Sequence, residues 1–269
     1  MGHTRGVPEG IEVEQYRREA DRTVGRTVTR VVAPDAWFLK GGLTAGGLTA
    51  AVESATVTGT RRREKLLLVD LRRDGHPVTV GLRFGMTGRI VVDGDGPIAE
   101  LEYGSARNLD EWERVRFEFE GGGWMAINDP RRLGAVELEP TEDDLGPDVF
   151  ALTAAQLGRV LDGSNAPLKA RLMDQQRLAG LGNLLTDEIL WRAGLDPARG
   201  AGSLSADERR RLHRTIGTVL RQLTGRGGSH TGDLQAARQR GAACPRDGAL
   251  LLRRTVGGRT TYSCPLHQR

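Results

Sequence analysis

The chain has 269 residues, 38% of them hydrophobic, and a formal net charge of +4 at pH 7. This length accommodates two domains with real cores. No apolar run approaches the ~20 residues that cross a bilayer, so nothing predicts a membrane span. Only two cysteines are present, which argues against a disulfide scaffold and favours a reducing, cytoplasmic location.

The positive charge is concentrated at one end. Residues 226–269 contain eight arginines and two acidic residues, whereas the preceding residues sum to −2. A basic tail that also holds both cysteines predicts a module that binds a polyanion. An arginine-rich, solvated surface is the alternative interpretation.

The first half of the chain has the pattern of a β domain. A first helix is predicted over 12–24, and the Gly-rich stretch 41–47 is predicted to be a loop. Alternation of apolar and polar residues from Val115 to Glu120 indicates a strand with one buried face. Short β-rich runs between turn signals predict a mainly antiparallel sandwich or barrel, with strands at 27–32, 55–60, 65–71, 78–84, 89–92, 115–119, 124–127 and 135–138.

Helical patterns dominate from residue 153 to residue 223, after an acidic linker at 139–148. The run Ser203-Leu204-Ser205 is predicted to cap a helix whose first turn holds Asp207 and Glu208. Two further helical patterns flank the turn Gly180–Asn183, and the second ends near Gly194. Backbone N–H groups at such a helix start form a natural phosphate cradle. An ordinary helical hairpin is the alternative.

The tail has the layout of a small metal module. Cys244 and Asp247 are followed, after a predicted hairpin with Gly257-Gly258 at its turn, by Cys264 and His267. Cysteine, histidine and aspartate can all bind zinc, which favours four ligands. The spacing therefore predicts a Zn²⁺ site with one oxygen ligand. The alternative is that the cysteines are ordinary core residues.

Taken together, these segments resemble the formamidopyrimidine-DNA glycosylase / endonuclease VIII family of base-excision repair enzymes. The run LMDQQRLAGLGNLLTDEILWRAGLDP (172–197) is similar to that family's helix–two-turn–helix signature. FGMTG (84–88) and NDPRRLG (128–134) match motifs of its N-terminal domain. GGRTTYSCPLHQ (257–268) is similar to the end of its zinc finger, in which Asp247 and His267 stand where the usual pattern has cysteines.

The resemblance implies an α+β protein: an N-terminal antiparallel β-sandwich or barrel flanked by helices, then a helix–two-turn–helix domain ending in a zinc-finger β-hairpin. The implied boundaries are 8–139 for the catalytic domain, 140–148 for the linker, 149–226 for the helical domain and 227–269 for the zinc module. It also implies a monomer, located in the bacterial cytoplasm with the nucleoid.

The family's reaction depends on an N-terminal proline, and VPEGIEVE (7–14) matches its first residues. The resemblance makes Pro8 the nucleophile, Glu9 the general acid/base and Lys65 a catalytic-domain lysine near the lesion phosphate; Glu12 is a supporting acid. A preceding residue turns the proline nitrogen into an amide without a usable lone pair. Either this chain has lost catalysis, or translation starts at position 7 from a GTG codon. We favour the second explanation.

The resemblance implies a bifunctional DNA glycosylase/AP lyase that acts on double-stranded DNA with damaged bases or abasic sites. A DNA-damage-binding protein without catalysis is the alternative. The segment 227–244 is short for the formamidopyrimidine branch, whereas Met86 and DPRR favour that branch, so the preferred lesion stays open. The implied DNA contacts are a void-filling Met86, Arg131 and Leu133, and phosphate contacts from Arg83, Lys169, Asn183 and Arg259.

Overall fold

The structure is a computed structural model that describes residues 8–98, 109–141 and 146–269. The chain forms two compact units. One contains Glu12–Asp143, and the other contains the residues up to Ile11 together with Asp144–Arg269. The predicted catalytic domain, 8–139, therefore differs at its start, because Ile11 packs in the hydrophobic cluster of the second unit. Part of the predicted linker lies outside the described residues.

The first unit is built from two four-stranded antiparallel sheets. One has the order β1-β6-β7-β5 and the other β2-β3-β4-β8. All eight predicted strands are present, with ends shifted by up to a few residues. They are β1 (Val28–Val32), β2 (Thr56–Arg63), β3 (Leu66–Arg73), β4 (His76–Arg83), β5 (Arg89–Val92), β6 (Glu113–Phe119), β7 (Trp124–Asn128) and β8 (Ala135–Leu138).

The two sheets pack against each other through one hydrophobic core. Val115, Phe117 and Phe119 of β6 are buried, whereas Arg116 and Glu118 between them are not, as the alternation predicted. The same cluster contains Val69 and Leu82 from the other sheet. The prediction of an antiparallel sandwich is confirmed.

Most of the helices that the structure describes lie in the second unit. They are α1 (Gly10–Ala20), which continues into the first unit, α3 (Ala154–Leu161), α4 (Leu168–Met173), α5 (Asn183–Ala193) and α6 (Ala206–Arg226); α2 (Ala45–Val52) belongs to the first unit. The predicted cap within 203–205 is Ser205, which forms a capping box with Glu208 at the start of α6. Gly194 ends α5 in the left-handed conformation, which glycine adopts without steric penalty.

The prediction of a loop over 41–47 is wrong at its end, because α2 begins at Ala45. The Thr44 side chain accepts a hydrogen bond from Gly47 N and so caps the helix. Leu48 and Val52, one turn apart, are both buried in the sandwich core. Burial of this face outweighs the poor helix propensity of the two glycines in the first turn.

The tail forms a hairpin of β9 (Leu252–Val256) and β10 (Arg259–Ser263), with Gly257 and Gly258 at its turn, as predicted. A small hydrophobic cluster joins it to α5 through Trp191, Cys244 and Cys264. In the ranges that the structure describes, none of the helices combines the length and the apolar character that a membrane span requires.

Candidate functional site

The N-terminal motif packs on the turn between α4 and α5. Glu9 is 1% exposed, and its carboxylate accepts hydrogen bonds from three backbone N–H groups at the start of α5. The donors are Gly182 (3.1 Å), Leu184 (2.8 Å) and Leu185 (3.0 Å). Gly10 N also donates to Gly180 O at 3.0 Å. The buried Pro8 immediately precedes this contact, and Glu12 is buried one turn further along α1.

These bonds change the interpretation of the Gly180–Asn183 turn. It was predicted to hold a phosphate, but its N–H groups bind the carboxylate of Glu9. The chemistry is that of the prediction, because a helix start with free N–H donors stabilises an anion. A Cβ on Gly182 would lie 2.3 Å from Glu9 Cδ, so this position requires a glycine. The anion is supplied by a residue more than 170 positions away, which no local pattern reveals.

Asn183 begins α5 and is partly exposed. Its Oδ1 is buried and has no hydrogen-bond partner in the described part of the chain. The side chain does not cap its own helix, since the cap residue is Gly182 and no side-chain cap bond forms. Its amide group is therefore not committed to a bond within the helix terminus, and its predicted phosphate contact stays a prediction.

The structure contradicts the predicted phosphate contact of Lys169, because this side chain is buried. It is 0% exposed, and its ammonium lies 2.7 Å from Asp187 Oδ1. The ammonium also donates to Thr260 O at 3.1 Å and Thr261 Oγ1 at 2.9 Å. The ammonium is thus held by one ion pair and two hydrogen bonds inside the protein. Burial lowers the pKa of Lys169, and Asp187 opposes that shift.

The same carboxylate holds a second buried cation. Arg238 pairs with Asp187 Oδ2, and its guanidinium lies 5.5 Å from the ring centroid of Tyr262 in β10. Losing one member of such a buried set leaves an uncompensated charge. Lys169 and Arg238 therefore fix the tail hairpin to α4 and α5, a role that no local sequence pattern indicates.

The hairpin turn is close to α4. A Cβ on Gly257, which has a φ of +57°, would lie 2.6 Å from Ala170 Cβ. Arg259 follows the turn and is exposed. The buried bonds of Lys169 to the next two residues hold the strand that presents Arg259. Arg259 thus has the exposure that a phosphate contact requires.

The FGMTG and NDPRRLG segments are joined by one buried carboxylate in the first unit. Asp129 is 0% exposed and accepts a hydrogen bond from Thr87 Oγ1 at 2.6 Å. It also accepts three backbone N–H bonds from its own loop. These come from Arg131 (3.1 Å), Leu133 (2.8 Å) and Gly134 (2.8 Å). Asp129 lies inside a predicted motif, but its anchoring role was missed.

This anchoring leaves the predicted DNA-contacting side chains at the surface. Arg131 is exposed, Leu133 is 47% exposed and Met86 is partly exposed. The two segments touch directly, since a Cβ on Gly85 would lie 2.5 Å from the carbonyl group of Leu133. Arg132, with a φ of +57°, turns away and makes a bidentate pair with Asp35 at 2.6 Å.

We predict that Asp129→Asn destabilises the first unit by about 1–3 kcal/mol. An amide presents an NH2 group to backbone N–H donors that then stay buried without an acceptor. Urea-induced unfolding measures the loss. Asp110→Asn, at an exposed position of the same unit, is the control and should change the unfolding free energy by less than about 0.5 kcal/mol. Equal stability of both variants would contradict the anchoring role.

Lys65 and Arg83, two further predicted site residues, are both partly exposed. Lys65 lies in the two-residue turn between β2 and β3 and is partly exposed. Arg83, at the end of β4, pairs with Glu137 of β8 at 3.3 Å while 40% of its side chain is exposed. A surface pair of this kind contributes about 0–1 kcal/mol, so Arg83 can exchange it for another anion.

The four predicted metal ligands come together in the tail. Cys244, Asp247, Cys264 and His267 each offer one ligand atom, and these atoms all lie within 4.8 Å of one another. His267 Nδ1 is 2.6 Å from Asp247 Oδ2. Cys264 Sγ lies 3.2–3.3 Å from the Asp247 oxygens. The hydrogen bond with His267 holds the pKa of Asp247 well below its usual range.

This donor set fits a zinc ion. Two sulfurs, one imidazole nitrogen and one carboxylate oxygen are all ligand types that Zn²⁺ accepts in four-coordinate sites. His267 Nε2 is 3.1 Å from Trp191 O, which leaves Nδ1 for the cluster. The sequence predicted all four side chains but gave no sign of the contact with Trp191.

Two family models match the chain. The formamidopyrimidine-DNA glycosylase N-terminal domain matches residues 7–136, and the formamidopyrimidine-DNA glycosylase H2TH domain matches residues 144–233. The formamidopyrimidine-DNA glycosylase of Cereibacter sphaeroides is 34% identical, with 98% of this chain and 100% of the relative covered.

Solved structures of Lactococcus lactis Fpg (MutM) are similar over most of the chain. The complex with DNA containing N7-benzyl-Fapy-dG has a TM-score of 0.81 and 25% identity, covering 97% of this chain and 100% of that one. The complex with DNA containing an oxidised pyrimidine has a TM-score of 0.80, 25% identity and the same coverage.

Proposed function

Because the chain belongs to the formamidopyrimidine-DNA glycosylase / endonuclease VIII family, we propose that it is a bifunctional DNA glycosylase and AP lyase. In this proposal it removes oxidised bases from duplex DNA and then cuts the strand. The observation that carries the proposal is the anchoring of Glu9, the residue after Pro8, on the start of α5. There, three N–H groups fix the Glu9 carboxylate next to the nucleophile of the family.

The first step requires that Pro8 be the N-terminal residue, with a secondary amine. Its nitrogen attacks C1′ of the damaged nucleotide, an N–C1′ bond forms, and the bond from C1′ to the base breaks. The base leaves with the electron pair and takes up a proton. The Glu9 carboxylate accepts the proton that the proline nitrogen loses and passes it to the sugar ring oxygen as the ring opens. The product is an iminium ion, the covalent intermediate typical of amine nucleophiles.

Strand cleavage follows from that iminium ion. It acidifies the proton on C2′, and loss of this proton expels the 3′ phosphate by β-elimination. A second elimination expels the 5′ phosphate, and water then releases the proline from the sugar fragment. Glu9, ionised after the first step, is the residue that accepts and returns protons in this sequence.

An extruded base leaves a gap in the stack that apolar or guanidinium side chains can fill. We assign that role to Met86 and Leu133, with Arg131 facing the unpaired partner base. The support is that the Asp129 bonds hold both segments in one place while Arg131 and Leu133 stay exposed. Leucine cannot stack on a base, so the wedge acts by excluded volume.

We assign phosphate contacts to Lys65, Arg83, Asn183 and Arg259, and none to Lys169. Each ionic contact releases counterions from the DNA, so affinity should fall steeply with added salt. The structural metal in this proposal is Zn²⁺, held by Cys244, Asp247, Cys264 and His267. It would supply a rigid link between the two ends of the tail module and takes no part in the reaction.

The proposal is tested by a lesion panel with protein that begins at Pro8. Duplexes with a formamidopyrimidine, an oxidised pyrimidine or an abasic site are incubated with excess protein, and base release and strand ends are measured. We expect release of at least one lesion, and nicks with phosphate at both ends as β,δ-elimination requires. Tight binding to damaged duplexes without base release or cleavage would instead establish the DNA-binding alternative.

A further inference from the structure

Trp191 contacts two of the four candidate metal ligands. It lies in the last turns of α5 and is 7% exposed. Its indole Nε1–H donates to Cys244 Sγ at 3.3 Å, and its backbone carbonyl lies 3.1 Å from His267 Nε2. The indole and imidazole rings also meet edge to face, with centroids 6.0 Å apart. One residue of the helix thus touches both ends of the tail module.

Each contact favours the ligating form of its partner. An N–H group directed at a sulfur stabilises the thiolate, which is the form that binds metal. A neutral imidazole that donates from Nε2 presents the lone pair of Nδ1. In this structure Nδ1 is the ring nitrogen that faces Asp247. The carbonyl that accepts from His267 lies at the C-terminal end of α5, where it also accepts a hydrogen bond from Gly194 N at 3.2 Å.

We propose that Trp191 is the outer-sphere positioning residue of the metal site and attaches it directly to α5. The inference rests on the proposed metal binding but is separate from the proposed reaction. It depends on the departure from a four-cysteine pattern, because a thiolate at position 267 has no N–H group with which to reach the carbonyl. In this proposal α5 supports the site through Trp191, which contacts the ligands Cys244 and His267.

The attachment has a consequence for the helix itself. The N-terminal end of α5 holds Glu9, and its C-terminal end contacts the metal ligands. The helix has 11 residues, so these two ends are about 15 Å apart. Metal binding therefore fixes one end of the element that fixes Glu9 at the other.

The test is the affinity for Zn²⁺, measured by competition with a chelator for the full chain and for Trp191→Phe. Phenylalanine keeps an aromatic ring but removes the N–H donor. We expect the affinity to fall about 10- to 100-fold, the usual effect of removing an outer-sphere partner. The Co²⁺-loaded variant should keep the absorption of a four-coordinate site, because no ligand is lost. Trp124→Phe, in the other unit, is the matched control and should not change the affinity.

A role in packing alone predicts a different result. In that case Trp191→Phe would lower the unfolding temperature of metal-free and metal-loaded protein equally, with an affinity within twofold of the original. That outcome would overturn the inference. If the variant does not fold, the original protein provides the test through its indole N–H hydrogen exchange, which should slow at Trp191 on Zn²⁺ loading. Unchanged exchange, or no binding of Zn²⁺ or Co²⁺, would also overturn it while leaving the base-release test unaffected.

Discussion

Protein whose first residue is Pro8 is expected to be covalently trapped on duplex DNA containing an abasic site when borohydride is present. Borohydride reduces the iminium ion between the proline nitrogen and the sugar to a stable amine. Protein that retains residues 1–7 should give no adduct above background. Mass spectrometry of the digested adduct should place the sugar on Pro8.

The expected difference is several orders of magnitude, as is usual when a nucleophile is removed. Once residue 7 is attached, the nitrogen lone pair of Pro8 is delocalised into the peptide bond. Both forms keep Glu9, its three N–H donors and the surface loops, so both should bind the DNA. Equal binding separates loss of chemistry from loss of affinity. Efficient trapping of the longer form, or none of the Pro8 form, would contradict the assigned nucleophile.

Glu9→Gln is expected to lower the rate of base release by about 10²- to 10⁴-fold, the range for a lost general acid/base. Single-turnover kinetics on the best substrate of the lesion panel measure this effect. The variant should also lose about 1–3 kcal/mol of unfolding free energy. The single oxygen of a glutamine amide cannot accept all three backbone hydrogen bonds that the Glu9 carboxylate accepts. The NH2 group of the glutamine would instead face backbone N–H donors.

These two effects can be separated with matched variants. Glu9→Asp keeps the charge on a shorter side chain, so it tests how far the rate depends on the position of the carboxylate. Glu14→Gln changes a partly exposed carboxylate of α1, the helix that follows Glu9; this carboxylate pairs with Arg17, Arg18 and the buried Arg62. It should leave base release unchanged. A Glu9→Gln variant that releases bases at the original rate would show that Glu9 is only a helix cap.

Much of the fold could be predicted because its signals are local. Strands such as β6 are predicted from the alternation of apolar and polar residues, since neighbouring side chains point to opposite faces of a sheet. The cap at Ser205 and the hairpin turn at Gly257-Gly258 follow from backbone chemistry within a few residues. The helix α2 was missed because its glycines masked the signals of the Thr44 cap and of Leu48 and Val52 one turn apart.

The candidate site was predicted as a set of motifs but not as an arrangement. The four tail side chains were correctly brought together because their spacing encloses a hairpin. Lys169 was assigned to phosphate, although its ammonium is buried with Asp187, because burial depends on partners that are distant in the chain. Trp191 and Asp129 were overlooked for the same reason.

The turn between α4 and α5 shows the difference between what local sequence signals determine and what tertiary contacts determine. By itself the sequence determined that a helix starts at Asn183 with N–H groups able to hold an anion, since glycine turns and helix termini are local properties. Only the tertiary structure decided that this anion is the carboxylate of Glu9. Long-range packing selects among the groups that could neutralise a helix terminus, and it favours the one that reaches the N–H donors in a buried site.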